Sequence, residues 1–105
     1  MVTGTMTSGG ESYQTVWLRA RVKASRKPDL LIVQLLVPDL VEPPTFYVDP
    51  AIVRVETQLQ PGDEAEGEVQ AILLESRPDG KLVVHVPGEA VSYGPRLVVP
   101  QGLAA

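Results

Sequence analysis

The spacing of apolar residues along the chain predicts a series of short strands. In residues 15–25 apolar and polar side chains alternate, and a period of two is the pattern of a strand with one buried face. The apolar positions of this segment are Val16, Leu18, Ala20, Val22 and Ala24. Residues 30–37 form an almost continuous apolar run, which is typical of a strand covered on both faces. Pro28 and Asp29 between the two segments favour a turn, so we expect a hairpin.

The clearest hairpin signal lies between Pro61 and Gly88. Its first strand places glutamates on one face and small or apolar residues on the other, and its second strand covers residues 82–86. Residues 77–80, which end in Asp-Gly, predict a tight turn closed by a left-handed glycine. Gly67, in the middle of the first strand, predicts a bend or bulge. The remaining predicted strands are residues 45–48, 52–56 and 97–99, with a connecting loop over residues 88–96.

Five or six bent strands in a short chain predict an all-β fold, which is either a small five- or six-stranded barrel (OB-like or SH3-like) or a small β-sandwich. Closure into a barrel would remove exposed strand edges. In an OB-type barrel the first strand lies antiparallel to the fourth. That order sets three cations beside three glutamates: Arg19, Arg21 and Lys23 beside Glu64, Glu66 and Glu68. Opposite charges across a strand pair contribute about 0.2–1 kcal/mol each.

The composition supports this fold class and a single domain. The chain has 105 residues, a usual length for one hydrophobic core. Valine is the most frequent apolar residue, and its branched side chain favours strands. The 10 Pro and 9 Gly divide the chain into short pieces and leave no long amphipathic helix. We expect a flexible N-terminal arm over residues 1–14, a β-domain over residues 15–100 and a C-terminal tail over residues 101–105.

Charge and the absence of cysteine narrow the function classes. The net charge of -4 and the sequence pI of about 4.8 argue against a nucleic-acid-binding domain, because such domains are usually basic. Without cysteine the chain has no disulfide and no thiolate. No apolar run approaches the roughly 20 residues of a membrane-spanning helix, and the first residues lack the pattern of a signal peptide. The expectation is a soluble protein, intracellular (cytoplasmic) or part of a virion, that contacts no membrane.

One strand face nevertheless combines an aromatic ring with positive charge. The residues on this face are Trp17, Arg19, Arg21 and Lys23. Platforms for single-stranded nucleic acid combine stacking aromatic rings with cations in this manner. The other interpretation is the cross-strand charge ladder described above. The ladder is favoured, because stacking platforms usually carry several aromatic rings and this face has one.

No residue pattern predicts catalysis or a cofactor. His85 is the only histidine, and no nucleophile motif or orienting carboxylate adjoins it in the sequence. The carboxylates between Asp63 and Glu68 lie too far apart to close on one cation, since alternate strand residues are about 6.6–7 Å apart. No glycine-rich segment matches a phosphate-binding loop. We therefore expect a non-enzymatic protein without metal, cofactor or small-molecule substrate.

The apolar run of residues 30–37 and the segment after it hold more hydrophobic surface than one face of a barrel needs. Exposed apolar patches usually mark an interface. The candidate contact residues are Leu31, Val33, Leu35, Leu40 and Val41. A strand in the middle of the core is an equally weighted interpretation of the same run.

The leading functional hypothesis is a binding or assembly module that acts through protein–protein contacts, with a protein partner or with further copies of itself. The N-terminal arm and residues 30–41 are the expected interface. A structural subunit of a viral or phage assembly is one form of this hypothesis. The alternative is a single-strand nucleic-acid-binding OB-like domain that uses the face around Trp17.

Overall fold

A computed structural model describes residues 13–38 and 40–105 of the chain. The strands in this part are β1 Gln14–Ala24, β2 Leu31–Leu35, β3 Thr45–Val48, β4 Val53–Arg54, β5 Glu64–Ser76, β6 Lys81–His85, β7 Glu89–Ser92 and β8 Arg96–Pro100. Short 3-10 turns cover Pro50–Ile52 and Gln101–Leu103. The predicted all-β class is confirmed. Residues 1–12 of the predicted N-terminal arm lie outside the described residues.

All of these strands belong to one antiparallel sheet. Their order across the sheet is β7-β3-β2-β1-β5-β6-β8, and β4 pairs with the part of β5 that β6 does not reach. The two end strands, β7 and β8, are joined by residues 93–95 alone. So short a connection requires the sheet to curl until its ends approach one another. The architecture is therefore a curled antiparallel half-barrel.

The core lies inside the curl and follows the alternation seen in the sequence. In β1, Leu18, Ala20 and Val22 are fully buried, and the residues between them are exposed or half-buried. The largest fully buried side chains of the described residues are Phe46, Leu18, Leu35, Val22, Val33, Val48, Val69, Val84, Val86 and Val99. Valine-rich strands thus supply most of the buried surface, as their branched side chains favour.

Both predicted hairpins are present. β1 pairs antiparallel with β2, and the connecting turn contains Asp29 with φ of 63°. β5 pairs antiparallel with β6, and Gly80 has φ of 83°, the left-handed conformation that the Asp-Gly sequence predicts. The amide of Gly80 donates to the carbonyl of Arg77 at 3.2 Å, which closes the turn.

The predicted loop over residues 88–96 is wrong in part, because it contains β7 and the start of β8. β7 pairs with β3, with a register shift between Thr45 and Phe46. Gly88 permits this approach, since a side-chain carbon at that position would lie 2.6 Å from the carbonyl oxygen of Tyr47. A strand of four residues that depends on one close backbone contact leaves little pattern in the sequence.

Residues 101–105, expected as a tail, are part of the fold. Leu103 is buried in the core with 5% of its surface exposed. Ala104 forms a bridge with Leu18 of β1, and the amide of Ala105 donates to the carbonyl of Trp17 at 2.8 Å. These residues cover part of the edge of β1 that β2 does not reach.

Candidate functional site

The charged outer face of the sheet is built by β1 and β5, in the predicted register. The facing pairs are Arg19 with Glu68, Arg21 with Glu66 and Lys23 with Glu64. The prediction that the cationic and acidic stripes are neighbours in one sheet is therefore confirmed. Side chains of alternate residues share a face, so this surface has a row of cations on β1 beside a row of glutamates on β5.

Glu64 forms ion pairs both with Lys23, which it faces across the strand pair, and with Arg21, which lies two residues away on the same face of β1. Glu64 accepts from Arg21, whose Nη1 lies 3.0 Å from Oε1, and its Oε2 lies 3.8 Å from Nζ of Lys23. The side chains of Arg21 and Glu64 are 40% and 45% exposed. At such exposure each pair contributes about 0.2–1 kcal/mol. The carboxylate of Glu64 thus partly neutralises two of the three cations on this strand face.

Trp17 is covered on one ring face by Arg54, a contact that the sequence did not predict. The guanidinium carbon of Arg54 lies 3.8 Å from the centre of the Trp17 ring, and its Nε donates to Oε1 of Glu68 at 2.8 Å. The two-residue strand β4 positions Arg54, because Arg54 faces Glu68 in the β4–β5 register. Nothing in the sequence around Arg54 indicates this pairing. A base that stacked on this ring face would first have to displace the arginine.

Arg19 lies beside an open cleft of about 590 Å³. The charged residues that line this cleft are Arg19, Arg54, Glu56, Glu66 and Glu68. Within the described part of the chain Arg19 has no ion pair, whereas Glu68 is bound by Arg54. Three carboxylates around two guanidinium groups give the cleft no positive excess.

The floor of this cleft depends on Gly67. A side-chain carbon at Gly67 would lie 2.4 Å from the carbonyl oxygen of Arg54 and 3.1 Å from Val22. The β1–β5 register continues without interruption through Gly67, which faces Ala20. The glycine therefore serves the close approach of the segment around Arg54, and the bulge that the sequence suggested is absent from this pairing.

The predicted contact residues divide into a buried and an exposed group. Val33 and Leu35 are 0% exposed and belong to the core, and Leu31 is half-buried against it. These positions offer little or no surface to a partner, because β2 lies between β1 and β3 with its apolar face turned inward. Leu40 and Val41 are 44% and 105% exposed. The surface open to contact therefore lies after β2.

Two further exposed apolar residues lie close by in the chain: Tyr93, whose hydroxyl reaches Glu42 beside Val41, and Val91, which precedes Tyr93 by two residues on β7. Val91 is 59% exposed and Tyr93 is 51% exposed. We call these four residues, Leu40, Val41, Val91 and Tyr93, the loop surface. Residues 91 and 93 lie in the segment of residues 88–96, whose length fits either a recognition loop or an ordinary connection, and no residue pattern singled these two out.

Hydrogen bonds hold the two segments of the loop surface together. The hydroxyl of Tyr93 donates to the carbonyl of Glu42 at 3.0 Å, and the hydroxyl of Ser92 donates to the carbonyl of Pro43 at 3.0 Å. The amide of Thr45 in turn donates to the hydroxyl of Ser92 at 3.2 Å. Residues 42–45 are therefore fixed to residues 92–93 at three points.

Comparisons with known proteins add no identification. No protein-family model, curated protein or solved structure matches the chain.

The described residues contain no group of three or more His, Cys, Asp or Glu side chains arranged to hold a metal ion. His85 is half-buried on the outer face, opposite Ile72 of β5 and Arg96 of β8. Ser92 uses its hydroxyl in the contacts given above. In the same residues no helix has the length and apolar character needed to cross a bilayer.

Proposed function

We propose that this protein is a non-enzymatic binding or assembly module that engages a protein partner through the loop surface. The observation that carries this proposal is the exposure of Val41, whose side chain is 105% exposed. Within the described residues, a valine this exposed buries almost no apolar surface and so contributes little to the stability of the domain. Burial against a partner would remove apolar surface from water at about 25 cal/mol per Å².

The hydrogen bonds around the loop surface support the same function. Binding is weakened when loops must be ordered on contact, and a preformed surface avoids that loss. The bonds from Ser92 and Tyr93 to the carbonyls of Pro43 and Glu42 hold the backbone beside Val41 in one arrangement. Tyr93 also has φ of 62°, an uncommon backbone conformation outside glycine. Such conformations are frequent where a side chain is directed toward a ligand.

A single-strand nucleic-acid-binding OB-like barrel is the second candidate. It is favoured by Arg19, which has no ion pair within the described residues and lies on the same strand face as Trp17. It ranks second because Arg21 and Lys23 share Glu64, and because Arg54 covers Trp17. A labelled oligonucleotide that shows no mobility shift at low salt would exclude this candidate, since phosphate contacts are strongest there.

The loop-surface proposal is tested by placing a photo-crosslinking amino acid at Val41 in the full chain, expressed in its native host. We expect one discrete adduct that disappears when Val91 and Tyr93 are both replaced by serine. Leu74 provides the matched control, since it is 43% exposed and lies on β5 away from the loop surface. Equal adducts from positions 41 and 74, or none from position 41, would contradict the proposal.

A further inference from the structure

A pocket of about 440 Å³ lies where two turns of the chain meet. One turn joins β1 to β2, and the other, at Pro61 and Gly62, precedes β5. The amide of Ala24 donates to the carbonyl of Asp63 at 3.3 Å, which joins the two segments. The volume falls in the range of pockets that hold small molecules, about 300–1,000 Å³.

Arg26 is the one charged residue that lines this pocket, and within the described residues it has no ion pair. The carboxylates of the adjoining segment are occupied, because Asp63 accepts from the amide of Gln60 at 3.0 Å and Glu64 pairs with cations of β1. Asp29, in the same turn as Arg26, does not line the pocket. The pocket therefore holds a positive charge that no group in its walls neutralises.

Two further donors in the walls are unused. The hydroxyl oxygen of Ser25 accepts from the amide of Lys27 at 2.9 Å, and its own proton has no acceptor in the part of the chain that the structure describes. Gly62 has φ of 89° in a turn that the amide of Asp63 closes by donating to the carbonyl of Gln60 at 2.9 Å. The amide of Gly62 itself has no acceptor among residues 13–38 and 40–105. The two turns thus bring three sets of free donors to one pocket.

The other walls of the pocket are apolar. Ile32 and Tyr47 face each other in the β2–β3 register, and both are half-buried. A hydrated inorganic ion would leave these walls without a contact, and a purely apolar molecule would leave the donors without an acceptor. A ligand that combines an anionic group with an apolar body uses both.

We propose that this pocket binds an organic carboxylate with a compact apolar body. The carboxylate accepts from the guanidinium group of Arg26, the hydroxyl of Ser25 and the amide of Gly62, and the body contacts Ile32 and Tyr47. Hydrogen bonds between ionised partners are roughly twice as strong as neutral ones, so Arg26 contributes most. The sequence did not indicate such a ligand, because the donors lie on turns that are far apart along the chain. The pocket shares no residue with the loop surface, and the inference goes beyond the proposed function.

The test is a titration of the isotope-labelled full chain with sodium benzoate at low salt, followed by the amide shifts in NMR spectra. We expect the amides of Ser25 and Gly62 to move along one saturating curve, and the Gly62 amide proton to move downfield because it gains an acceptor. Arg26→Gln should raise the dissociation constant about tenfold or more, since a charge-assisted bond is lost. Arg96→Gln is the matched control and should bind like the wild type. Arg96 is likewise exposed and without an ion pair in the described chain, but it does not line the pocket.

Three further probes separate the parts of the proposal. Benzamide keeps the ring without the charge, and inorganic phosphate keeps the charge without the ring, so each should bind about tenfold more weakly than benzoate or worse. Acetyl-phenylalanine presents the same chemistry as the end of a peptide, and its affinity relative to benzoate tells whether the carboxylate belongs to a chain terminus or to a free acid.

No saturable shift with either carboxylate would overturn the proposal, as would equally tight binding of benzamide or phosphate. Unchanged affinity in Arg26→Gln would do the same, and the amide spectrum of that variant shows directly whether it is folded. Val41→Ser should bind benzoate like the wild type, so failure here is distinguishable from failure of the loop-surface proposal.

Discussion

Gly67 has a tighter environment than its place in a long strand suggests. A methyl group there would meet the backbone oxygen of Arg54 at 2.4 Å, and backbone atoms cannot move aside as a flexible side chain can. The contact also determines where β4 pairs with β5. Since β4 carries Arg54, the glycine indirectly fixes the arginine that covers Trp17 and binds Glu68.

We therefore expect Gly67→Ala to lower the free energy of unfolding by about 1–3 kcal/mol, the usual cost of overpacking. Urea unfolding followed by Trp17 fluorescence measures both the stability and the environment of the ring. Gly94→Ala is the control, because a side-chain carbon at Gly94 has nothing within 4 Å. If the two variants were equally stable, the segment around Arg54 would have to shift away from the added methyl group without loss of stability.

At the same scale, Val33 and Leu35 show the limit of reading a continuous apolar run. The run predicted a strand covered on both faces, but β2 buries only the face of Val33 and Leu35, and Ile32 and Gln34 on the other face are half-buried. Val33 and Leu35 are buried by the curl of the sheet itself. That curl depends on contacts such as Gly88 against Tyr47, which join residues distant in sequence.

At the scale of the elements, Lys27 in the β1–β2 turn contacts both β3 and β7. Its Nζ lies 4.2 Å from the centre of the Tyr47 ring and 2.8 Å from Oε1 of Glu89 in β7. The pKa of Lys27 is raised above its ordinary value of 10.5, chiefly because its ammonium group donates a hydrogen bond to Glu89. Burial of Lys27 acts in the opposite direction and is outweighed.

A raised pKa in the folded state means that this interaction stabilises fully below the unfolded pKa of 10.5 and is lost as pH rises through the folded value. Between about pH 9 and about pH 11.5 the wild type should therefore lose more stability than Lys27→Met. Urea midpoints at both pH values measure the difference. Lys81→Met is the control, since Lys81 has no ion pair within the described residues. If all three proteins lost the same stability between the two pH values, the pair of Lys27 and Glu89 would not contribute to the stability of the fold.

The sequence predicted most of the strands, including the four residues of β3 and, within residues 52–56, the two residues of β4, but it missed β7. β1 and β5 have clear alternation and complementary charges, so their antiparallel pairing and even their facing residues could be foreseen. β4 and β7 are short, with two and four residues, and nothing in the sequence predicted that they pair with β5 and β3. The two features that decide the site, Arg54 on Trp17 and Tyr93 beside Glu42, both come from such short segments or their ends.

For the whole molecule, residues 103–105 complete the core and an edge of β1. Leu103→Ala should lower the free energy of unfolding by about 2–5 kcal/mol, the usual cost of removing a buried leucine. That is a large share of the roughly 5–15 kcal/mol of an ordinary domain. Denaturant unfolding compares it with Leu74→Ala, where 43% exposure predicts a change within about 0.5 kcal/mol. A Leu103→Ala protein as stable as Leu74→Ala would mean that residues 103–105 contribute little to the stability of the domain.

The bridge between Leu18 and Ala104 also has a consequence for how the protein is made. It joins positions near the two ends of the described domain, and chain entropy must be lost before such distant contacts stabilise the fold. Domains dominated by distant strand pairing fold in milliseconds to seconds, far more slowly than helical bundles. During synthesis Leu18 leaves the ribosome long before Ala104. The part of the edge of β1 that pairs with residues 104–105 therefore stays unpaired until these residues have emerged from the ribosome.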